Sequence, residues 1–313
     1  MKDVPVINLT ADPNSVRTAI AEACTNWGFF QVTGHNVPAM NTRRVLEETQ
    51  AFFSQDLEHK RRLFRSFEYP WGYYDRELTK NRRDRKEIFD YSNADPAPWP
   101  TDHPGLQAAC TDYTRFVRTL ALEILDLCAA GLGEQTPSLR QYFNPGDGSF
   151  TRLNYYPLNQ DLARDADMPA PGKLGISHHT DAGALTVLLQ DQIAGLEVMQ
   201  RGEWHTVSPR ADALTINVGD MLQVWTNDRY RAPLHRVRAS HSHSRYSVAF
   251  FLNPAEDTVV KPLQSCTDAD RPALYRAIPW QSFREQRARG DYGDFGEEVQ
   301  IAHYRQEGTQ SAS

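Results

Sequence analysis

Three side chains in the second half of the sequence could together hold a metal ion. His179 and Asp181 are separated by one residue, and His235 follows on a later segment. Two imidazoles and one carboxylate can bind ferrous iron on one face and leave its other positions open. A closed zinc site would favour cysteine ligands, and no cysteine lies near these residues in the sequence. We therefore predict an open Fe(II) site whose three ligands are also the catalytic residues.

Side-chain alternation along a strand selects His179 rather than its neighbour His178. In an extended segment, His179 and Asp181 project to one face, whereas the residue before each of them projects to the other face. His178 is then predicted to be a hydrogen-bonded wall residue. His235 would by itself be an ordinary histidine, but it follows a turn on a predicted strand and can complete the site from there.

Arg245 and Ser247 are also two residues apart on a predicted strand, so their side chains share one face. A guanidinium binds a carboxylate through two parallel hydrogen bonds, and a serine hydroxyl adds a further donor. A strand arginine is often only solvated, so this interpretation depends on the nearby metal ligands. Together with those ligands, the pair predicts a metal site with a place for an organic carboxylate.

The composition describes a chain that is large enough for a sizeable core. It has 313 residues, 40% of them hydrophobic, and a net charge of −6. This mild acidity, with acidic residues inside the basic cluster at 80–86, argues against a nucleic-acid partner. We find no signal segment, no apolar run approaching the ~20 residues of a membrane span and no cysteine pair of redox spacing. We expect a cytoplasmic protein without a membrane partner; its oligomeric state is left open.

The hydrophobic period divides the sequence into parts of one predicted domain, residues 1–313. Residues 1–150 are mostly helical in pattern, and their longest apolar helical run extends from Tyr113 to Cys128. Residues 151–260 have a period of two and predict successive short strands, including one at 221–226. Many short strands without intervening helices indicate an antiparallel sandwich or barrel. The predicted class is therefore α+β with a mainly β core.

The C-terminal part is predicted to return as a helix that covers this core. Within residues 261–305, a helical pattern runs over 272–289 with a break at Pro279. The small polar residues 306–313 predict a disordered tail.

Several motifs, in chain order, resemble the isopenicillin N synthase-like group of iron(II)- and 2-oxoglutarate-dependent oxygenases. The resemblance covers nearly the whole chain, and linked motifs in order are far more specific than any one of them. The motifs are Val4-Pro5-Val6-Ile7, Trp27-Gly28-Phe29-Phe30, Asn154-Tyr155-Tyr156-Pro157, His179-Thr180-Asp181, His235 and Arg245-x-Ser247.

The resemblance implies a distorted double-stranded β-helix, or jelly roll, flanked by helices. It implies Fe(II) at the histidine–aspartate site, with 2-oxoglutarate and dioxygen as co-substrates. By position, Arg245 and Ser247 would bind the distal carboxylate of 2-oxoglutarate, and Asn154 and Tyr156 would support it from the neighbouring strand. From the residues alone, Asn154 and Tyr156 could also serve ordinary sheet packing.

The implied activity is that of a non-haem dioxygenase, an oxidoreductase that oxidises a C–H bond of a small organic metabolite. The outcome would be hydroxylation, or desaturation or cyclisation, with release of succinate and CO2. Two alternatives stay open. A related Fe(II) oxidase that uses no 2-oxoglutarate would grip its substrate with Arg245 and Ser247. A non-catalytic jelly-roll protein would bind metal or ligand without turnover.

The substrate itself is not readable from the sequence. Aromatic candidates suggest a ring-containing or apolar molecule, and arginines suggest an acidic group. Phe251 shares its strand face with Arg245 and corresponds to a family position that touches substrate, although core packing would explain it equally well. The candidate substrate-binding residues are Phe251, Tyr73, Tyr74, Arg82, Asn227 and Arg231.

Overall fold

A computed structural model describes residues 3–133, 139–158, 172–240, 242–293 and 296–306 of the chain. The helices are α1 (Pro13–Asn26), α2 (Ala39–Phe53), α3 (Leu57–Arg61), α4 (Pro104–Gly131), α5 (Asp220–Trp225) and α6 (Trp280–Arg289). The first strands are β1 (Val6–Asn8), β2 (Phe29–Thr33), β3 (Gly72–Tyr74), β4 (Leu78–Thr79), β5 (Arg82–Arg83), β6 (Glu87–Tyr91), β7 (Phe150–Tyr156) and β8 (Leu174–His179). The later strands are β9 (Leu185–Gln190), β10 (Leu196–Gln200), β11 (Glu203–Thr206), β12 (Leu214–Val218), β13 (His235–Arg238), β14 (Arg245–Leu252), β15 (Val259–Val260) and β16 (Ile278–Pro279).

Two sheets form the β core. The large sheet has eight strands in the order β1-β2-β12-β9-β14-β7-β6-β3, and its β1–β2 pair is parallel. The smaller sheet has the order β11-β10-β13-β8, with antiparallel neighbours. Two stacked sheets with surrounding helices are the predicted α+β arrangement, a distorted double-stranded β-helix.

The helices cover the outer face of the large sheet. The apolar run predicted from Tyr113 to Cys128 lies within α4, which packs against α1, α2, β9 and β14. Val117, Ile124 and Cys128 are fully buried there. Burying such an apolar side chain contributes roughly 1.5–3 kcal/mol. Helix α4 therefore packs on the outer face of the large sheet, and the opposite face of this sheet is left to form a site.

Alternation along β7 and β14 separates these two faces. Val248, Phe250 and Leu252 of β14 belong to the large apolar core on the helix side. The alternate residues of β14 point to the inner side, towards the smaller sheet; they are Arg245, Ser247, Ala249 and Phe251. The inner side therefore carries the polar residues that the sequence singled out.

Gly28 brings the start of β2 close to the smaller sheet. It has φ +61°, and a Cβ at this position would lie 2.1 Å from the carbonyl oxygen of Arg231. Only glycine combines this backbone conformation with such a close approach. The ring of Phe29, the next residue, consequently lies 5.9 Å from the ring of His235.

Some sequence predictions of secondary structure were wrong. The predicted strand 221–226 is helix α5, because a short buried apolar run has no period that distinguishes the two states. The predicted helix 272–289 is helical only from Trp280, after Pro279. Residues 72–91, in the part predicted to be mostly helical, contain β3 to β6.

The predicted tail 306–313 lies outside the described residues except for Gln306. The backbone N–H of Gln306 donates a hydrogen bond of 2.9 Å to the carbonyl of Leu274. Among the helices of the described segments, none has the length and apolar character needed to cross a membrane.

Candidate metal centre and co-substrate cavity

The pairing of β8 with β13 brings the two candidate histidine ligands together. His179 lies opposite His235 in this register, and their ring centroids are 4.3 Å apart. Oδ1 of Asp181 is 3.6 Å from Nε2 of each histidine. One candidate ligand atom from each residue lies within 4.8 Å of the other two. The three side chains thus converge on one point from two strands and the segment that follows β8. This point, between His179, Asp181 and His235, is the candidate metal point.

The histidines are held with Nε2 facing this point. Nδ1 of His179 is 2.8 Å from the carbonyl of Ser177, and Nδ1 of His235 is 3.2 Å from the carbonyl of Pro233. A carbonyl oxygen only accepts, so each Nδ1 carries the proton and each Nε2 offers a lone pair. Hydrogen bonds of this kind orient metal-binding imidazoles in proteins. The donor set therefore fits a metal ion.

Asp181 is oriented by two neighbours rather than by strand alternation. Strand β8 ends at His179, so the face of a strand does not place Asp181. Its Oδ2 accepts hydrogen bonds from the hydroxyl of Thr186 and from Nδ2 of Asn217, the latter at 2.7 Å. Its Oδ1 is left for the shared point. His178 is exposed and does not line the cavity.

Burial and charge set the protonation of the site. Burial, assisted by the neighbouring His235, lowers the pKa of His179 to about 3, so this imidazole is neutral at pH 7. Burial alone would raise the pKa of the Asp181 carboxyl. The two histidines and the hydrogen bonds from Asn217 and Thr186 outweigh burial, and the pKa of Asp181 lies below its ordinary value. Neutral imidazoles beside a carboxylate are the protonation states that metal binding requires.

A cavity of about 780 Å³ extends from this point between the sheets. Arg245 lines it and is almost completely buried. Its Nη2 donates a hydrogen bond of 2.9 Å to Oε1 of Gln190, whereas Nε and Nη1 have no hydrogen-bond partner within the described residues. Its guanidinium carbon lies 4.9 Å from the ring centroid of Tyr156. Arg245 thus presents two free donors in the cavity that contains the metal point.

Two further buried polar atoms lie beside Arg245. Register pairs Ser247 with Asn154 and Arg245 with Tyr156 across β14 and β7. Oγ of Ser247 and Oδ1 of Asn154 have no partner in the part of the chain that the structure describes. Buried polar atoms without partners are rare and costly. Their concentration on one wall marks a place for a polar ligand.

Of the six candidate substrate residues, the structure brings Phe251 into the cavity. Its ring stacks on that of Phe150 with a centroid distance of 4.7 Å. The other five, Tyr73, Tyr74, Arg82, Asn227 and Arg231, are not among the described residues that line it.

Each of these five has another place in the fold. The hydroxyl of Tyr73 donates to Glu87 at 2.8 Å, and the ring of Tyr74 packs against aromatic neighbours. The amide of Asn227 donates to two backbone carbonyls of the C-terminal part. Arg82 and Arg231 are exposed on the surface. Sequence position alone could not show that these segments turn away from the metal point.

The outer part of the cavity is lined by residues that the sequence reasoning missed. Phe150 and Arg152 have the same parity on β7 as Asn154, so this signal was present in the sequence. Trp71 and Arg284 come from distant segments, and no local pattern marks them.

Most cations of the outer part are neutralised by carboxylates. Arg152 makes two hydrogen bonds to Asp90, at 2.7 and 2.8 Å, and one of 3.1 Å to Glu77. Arg65 pairs with the same two carboxylates, and Lys86 pairs with Glu77. This buried network forms part of the cavity wall without presenting a free charge.

Two family models match the chain. The 2OG-Fe(II) oxygenase superfamily model covers residues 148–254, which include the metal point and Arg245. The model of the non-haem dioxygenase N-terminal region, named for morphine synthesis, covers residues 4–115.

Relatives match over most of their length. Jasmonate-induced oxygenase 4 of Arabidopsis thaliana is 32% identical over 297 residues, which are 90% of this chain and 81% of the relative. Gibberellin 20 oxidase 1-B of Triticum aestivum is 33% identical over 310 residues, covering 92% and 82%. A crystal structure of JOX2 in complex with 2OG, Fe and JA has a TM-score of 0.80 at 28% identity, covering 93% of this chain and 87% of JOX2.

These matches confirm the family, the jelly-roll fold and the enzyme class predicted from the sequence. The activity is that of a 2-oxoglutarate-dependent dioxygenase, an oxidoreductase that uses Fe(II), 2-oxoglutarate and dioxygen. The chain belongs to the 2-oxoglutarate- and iron(II)-dependent oxygenase superfamily.

Proposed function

We propose that His179, Asp181 and His235 hold Fe(II) and that Arg245 and Ser247 bind the distal carboxylate of 2-oxoglutarate. This proposal is carried by buried polar atoms of Arg245 and Ser247 that have no hydrogen-bond partner among the described residues and line the same cavity as the three ligands. A dicarboxylic co-substrate with one end at the metal would satisfy these donors with its other end.

The chain's own residues prepare the site for this chemistry. Bound iron, with 2-oxoglutarate and dioxygen, supplies the oxidising power that breaks a C–H bond and releases succinate and CO2. Asp181 and the two imidazoles would hold the metal ion and leave coordination positions for the co-substrates. Arg245 and Asn154 orient the co-substrate on β14 and β7. Phe251 lies further along the same wall and limits where a substrate can approach.

We further propose that the substrate is a small organic metabolite. Two of the relatives are named as a jasmonate-induced oxygenase and a gibberellin 20 oxidase, and the crystal structure of JOX2 is a complex with JA. The proposed outcome is hydroxylation, or desaturation or cyclisation, of that metabolite. The four cysteines are free and buried, which supports a reducing, cytoplasmic location. One large apolar core joins residues from Ile7 to Ile301 and supports a single oxygenase domain.

Anaerobic titration of the Fe(II)-loaded chain with 2-oxoglutarate tests the co-substrate site, with the metal-to-ligand absorption band as the readout. Arg245→Gln removes a charge-assisted contact worth about 1.5–3 kcal/mol, so the Kd is expected to rise about 12- to 150-fold. Arg231→Gln, at an exposed arginine outside the cavity, is the matched control. Equal 2-oxoglutarate affinity in the two variants would contradict the proposed role.

The oxidase alternative needs a separate measurement. Succinate formation is followed together with dioxygen consumption in the presence and absence of 2-oxoglutarate. We expect both to depend on 2-oxoglutarate. Dioxygen consumption that continues without it would favour the related Fe(II) oxidase, in which Arg245 and Ser247 hold the substrate.

A further inference from the structure

The cavity wall has two chemically different ends. The paired strands β7 and β14 place Tyr156 opposite Arg245 at one end and Phe150 opposite Phe251 at the other. Arg245 and Phe251 are six residue steps apart along the extended strand, a span of roughly 20 Å. A five-carbon co-substrate held at Arg245 therefore leaves the aromatic end open to a second molecule.

The second end is lined by aromatic rings. The rings of Phe150 and Phe251 are stacked at 4.7 Å with an interplanar angle of 25°. The ring centroid of Trp71 lies 6.0 Å from that of Phe150, with the two rings tilted by 49°. Stacked aromatic faces of this kind favour contact with a ring or another hydrocarbon body.

A guanidinium to which the described residues give no hydrogen bond lies beside this aromatic end. Arg284 of α6 lines the cavity, and its Nη1 would be 3.2 Å from a Cβ built on Gly148. Gly148 comes two residues before Phe150 in the sequence. Among the described residues, the carboxylate oxygen paired with Arg284 is Oε1 of Glu256, at 3.8 Å, and the Glu256 side chain is 62% exposed. An exposed pair at this distance contributes little.

Arg284 differs in this respect from Arg152 and Arg287, two other cations that line the outer part of the cavity. Arg152 is saturated by Asp90 and Glu77. Arg287, on the same helix, pairs with Asp220 and Glu298. Arg284 makes no hydrogen bond within the described chain, and its side chain is only 27% exposed. Burial lowers the pKa of Arg284 from its ordinary value, as expected for a cation removed from water without a close partner.

We propose that the substrate is an organic acid with a ring-containing body, whose anionic group binds Arg284 while the body packs on Phe150, Phe251 and Trp71. This inference rests on the proposed function, since it assigns the second molecule of the same cavity. An anion at Arg284 would supply the hydrogen bonds that the guanidinium lacks.

Matched pairs of probes test the proposal by calorimetry. The probes are 3-phenylpropanoate and 2-naphthylacetate, each compared with its neutral primary amide. Binding of each probe is measured in the presence of Mn(II) and saturating 2-oxoglutarate, so that Arg245 is occupied. The measurement is repeated in the absence of both Mn(II) and 2-oxoglutarate. For the wild-type chain we expect each acid to bind at least about 10-fold more tightly than its amide, the scale of one charge-assisted contact.

Three variants locate this preference. Arg284→Gln should abolish the difference between acid and amide while leaving amide binding unchanged, and Arg284→Lys should retain part of it. Arg289→Gln removes an exposed arginine at the cavity rim, over the ring of Phe67, and should keep the preference. Unchanged amide binding in Arg284→Gln also shows that the variant is folded.

Several results would overturn the proposal. These are equal affinities for acid and amide, a preference that survives Arg284→Gln, a preference lost in Arg289→Gln instead, or no measurable binding of either acid. Displacement of the acids by 2-oxoglutarate would also overturn it, because it would place them at Arg245. Failure of 2-oxoglutarate to bind, with an Arg284-dependent preference intact, would count against the proposed function alone.

Discussion

The guanidinium of Arg287 donates a hydrogen bond of 2.8 Å to the backbone carbonyl of Thr180, the residue between two of the proposed metal ligands. The same guanidinium lies 3.3 Å from Oδ2 of Asp220 and 2.7 Å from Oε1 of Glu298. The backbone N–H of Asp220 in turn donates to the carbonyl of Asp181 at 2.7 Å. Helices α5 and α6 thus hold the backbone of the ligand-bearing turn.

Substituting Arg287 should therefore weaken metal binding without removing a ligand. We expect Arg287→Gln to raise the Kd for Co(II) by about 10-fold, the lower end of the range for residues that orient metal ligands. The Co(II) absorption spectrum during titration is the readout, and Arg287→Lys should restore part of the affinity. Arg289→Gln, at an exposed position of the same helix, is the control. Identical Kd values for Arg287→Gln and Arg289→Gln would show that the turn does not need this contact.

The adjacent histidines offer a matched test of the ligand assignment. His179→Ala removes an imidazole at the metal point, whereas His178→Ala removes an exposed one. We expect the first variant to lose measurable Co(II) binding and 2-oxoglutarate-dependent dioxygen consumption, and the second to retain both. Retention of metal binding in His179→Ala would contradict the assignment.

Ser247→Ala separates a ligand-binding role from a structural one. The hydroxyl is buried without a described partner, so its removal should leave the free energy of unfolding of the free chain unchanged or slightly higher. The Kd for 2-oxoglutarate should rise by about 2- to 13-fold, corresponding to one hydrogen bond of about 0.5–1.5 kcal/mol. Urea unfolding and 2-oxoglutarate titration are measured on the same preparation. A destabilised chain with unchanged 2-oxoglutarate affinity would assign the hydroxyl to the fold.

Asp84 should make the stability of the chain depend on pH. Burial raises the pKa of this carboxyl to about 6, against the opposing effect of Lys86 and with a further increase from Glu77. The folded state thus holds the proton more tightly than the unfolded state does. The resulting stability is complete below pH 3.8 and is lost as the pH rises to about 6.

Asp84→Asn removes this titration. The free energy of unfolding of the variant, relative to wild type, should increase by on the order of 3 kcal/mol between pH 4 and pH 7. Urea unfolding at closely spaced pH values gives the difference directly. Because wild type and Asp84→Asn share all other titrating groups, the contributions of those groups cancel in the difference between the two free energies of unfolding. A difference that stays constant from pH 4 to pH 7 would refute the raised pKa of Asp84.

The sequence by itself determined the parts of the site that depend on short-range pattern. The residue types of His179, Asp181, His235 and Arg245, with their order, predicted iron and 2-oxoglutarate chemistry, and the family matches confirm that chemistry. The helical period from Tyr113 to Cys128 likewise identified the helix on which the large sheet packs. The chemistry class and this helix could be predicted because side-chain chemistry and backbone period are local properties.

Only the tertiary structure decided what depends on contacts between distant segments. It placed Asp181 through Thr186 and Asn217 rather than through strand parity. It directed Arg82 and Arg231 to the surface and brought Arg284 of α6 to the aromatic end of the cavity. No local sequence pattern predicts these positions. The packing of the sheets and helices determines which side chains from distant segments line one cavity and which are exposed to solvent.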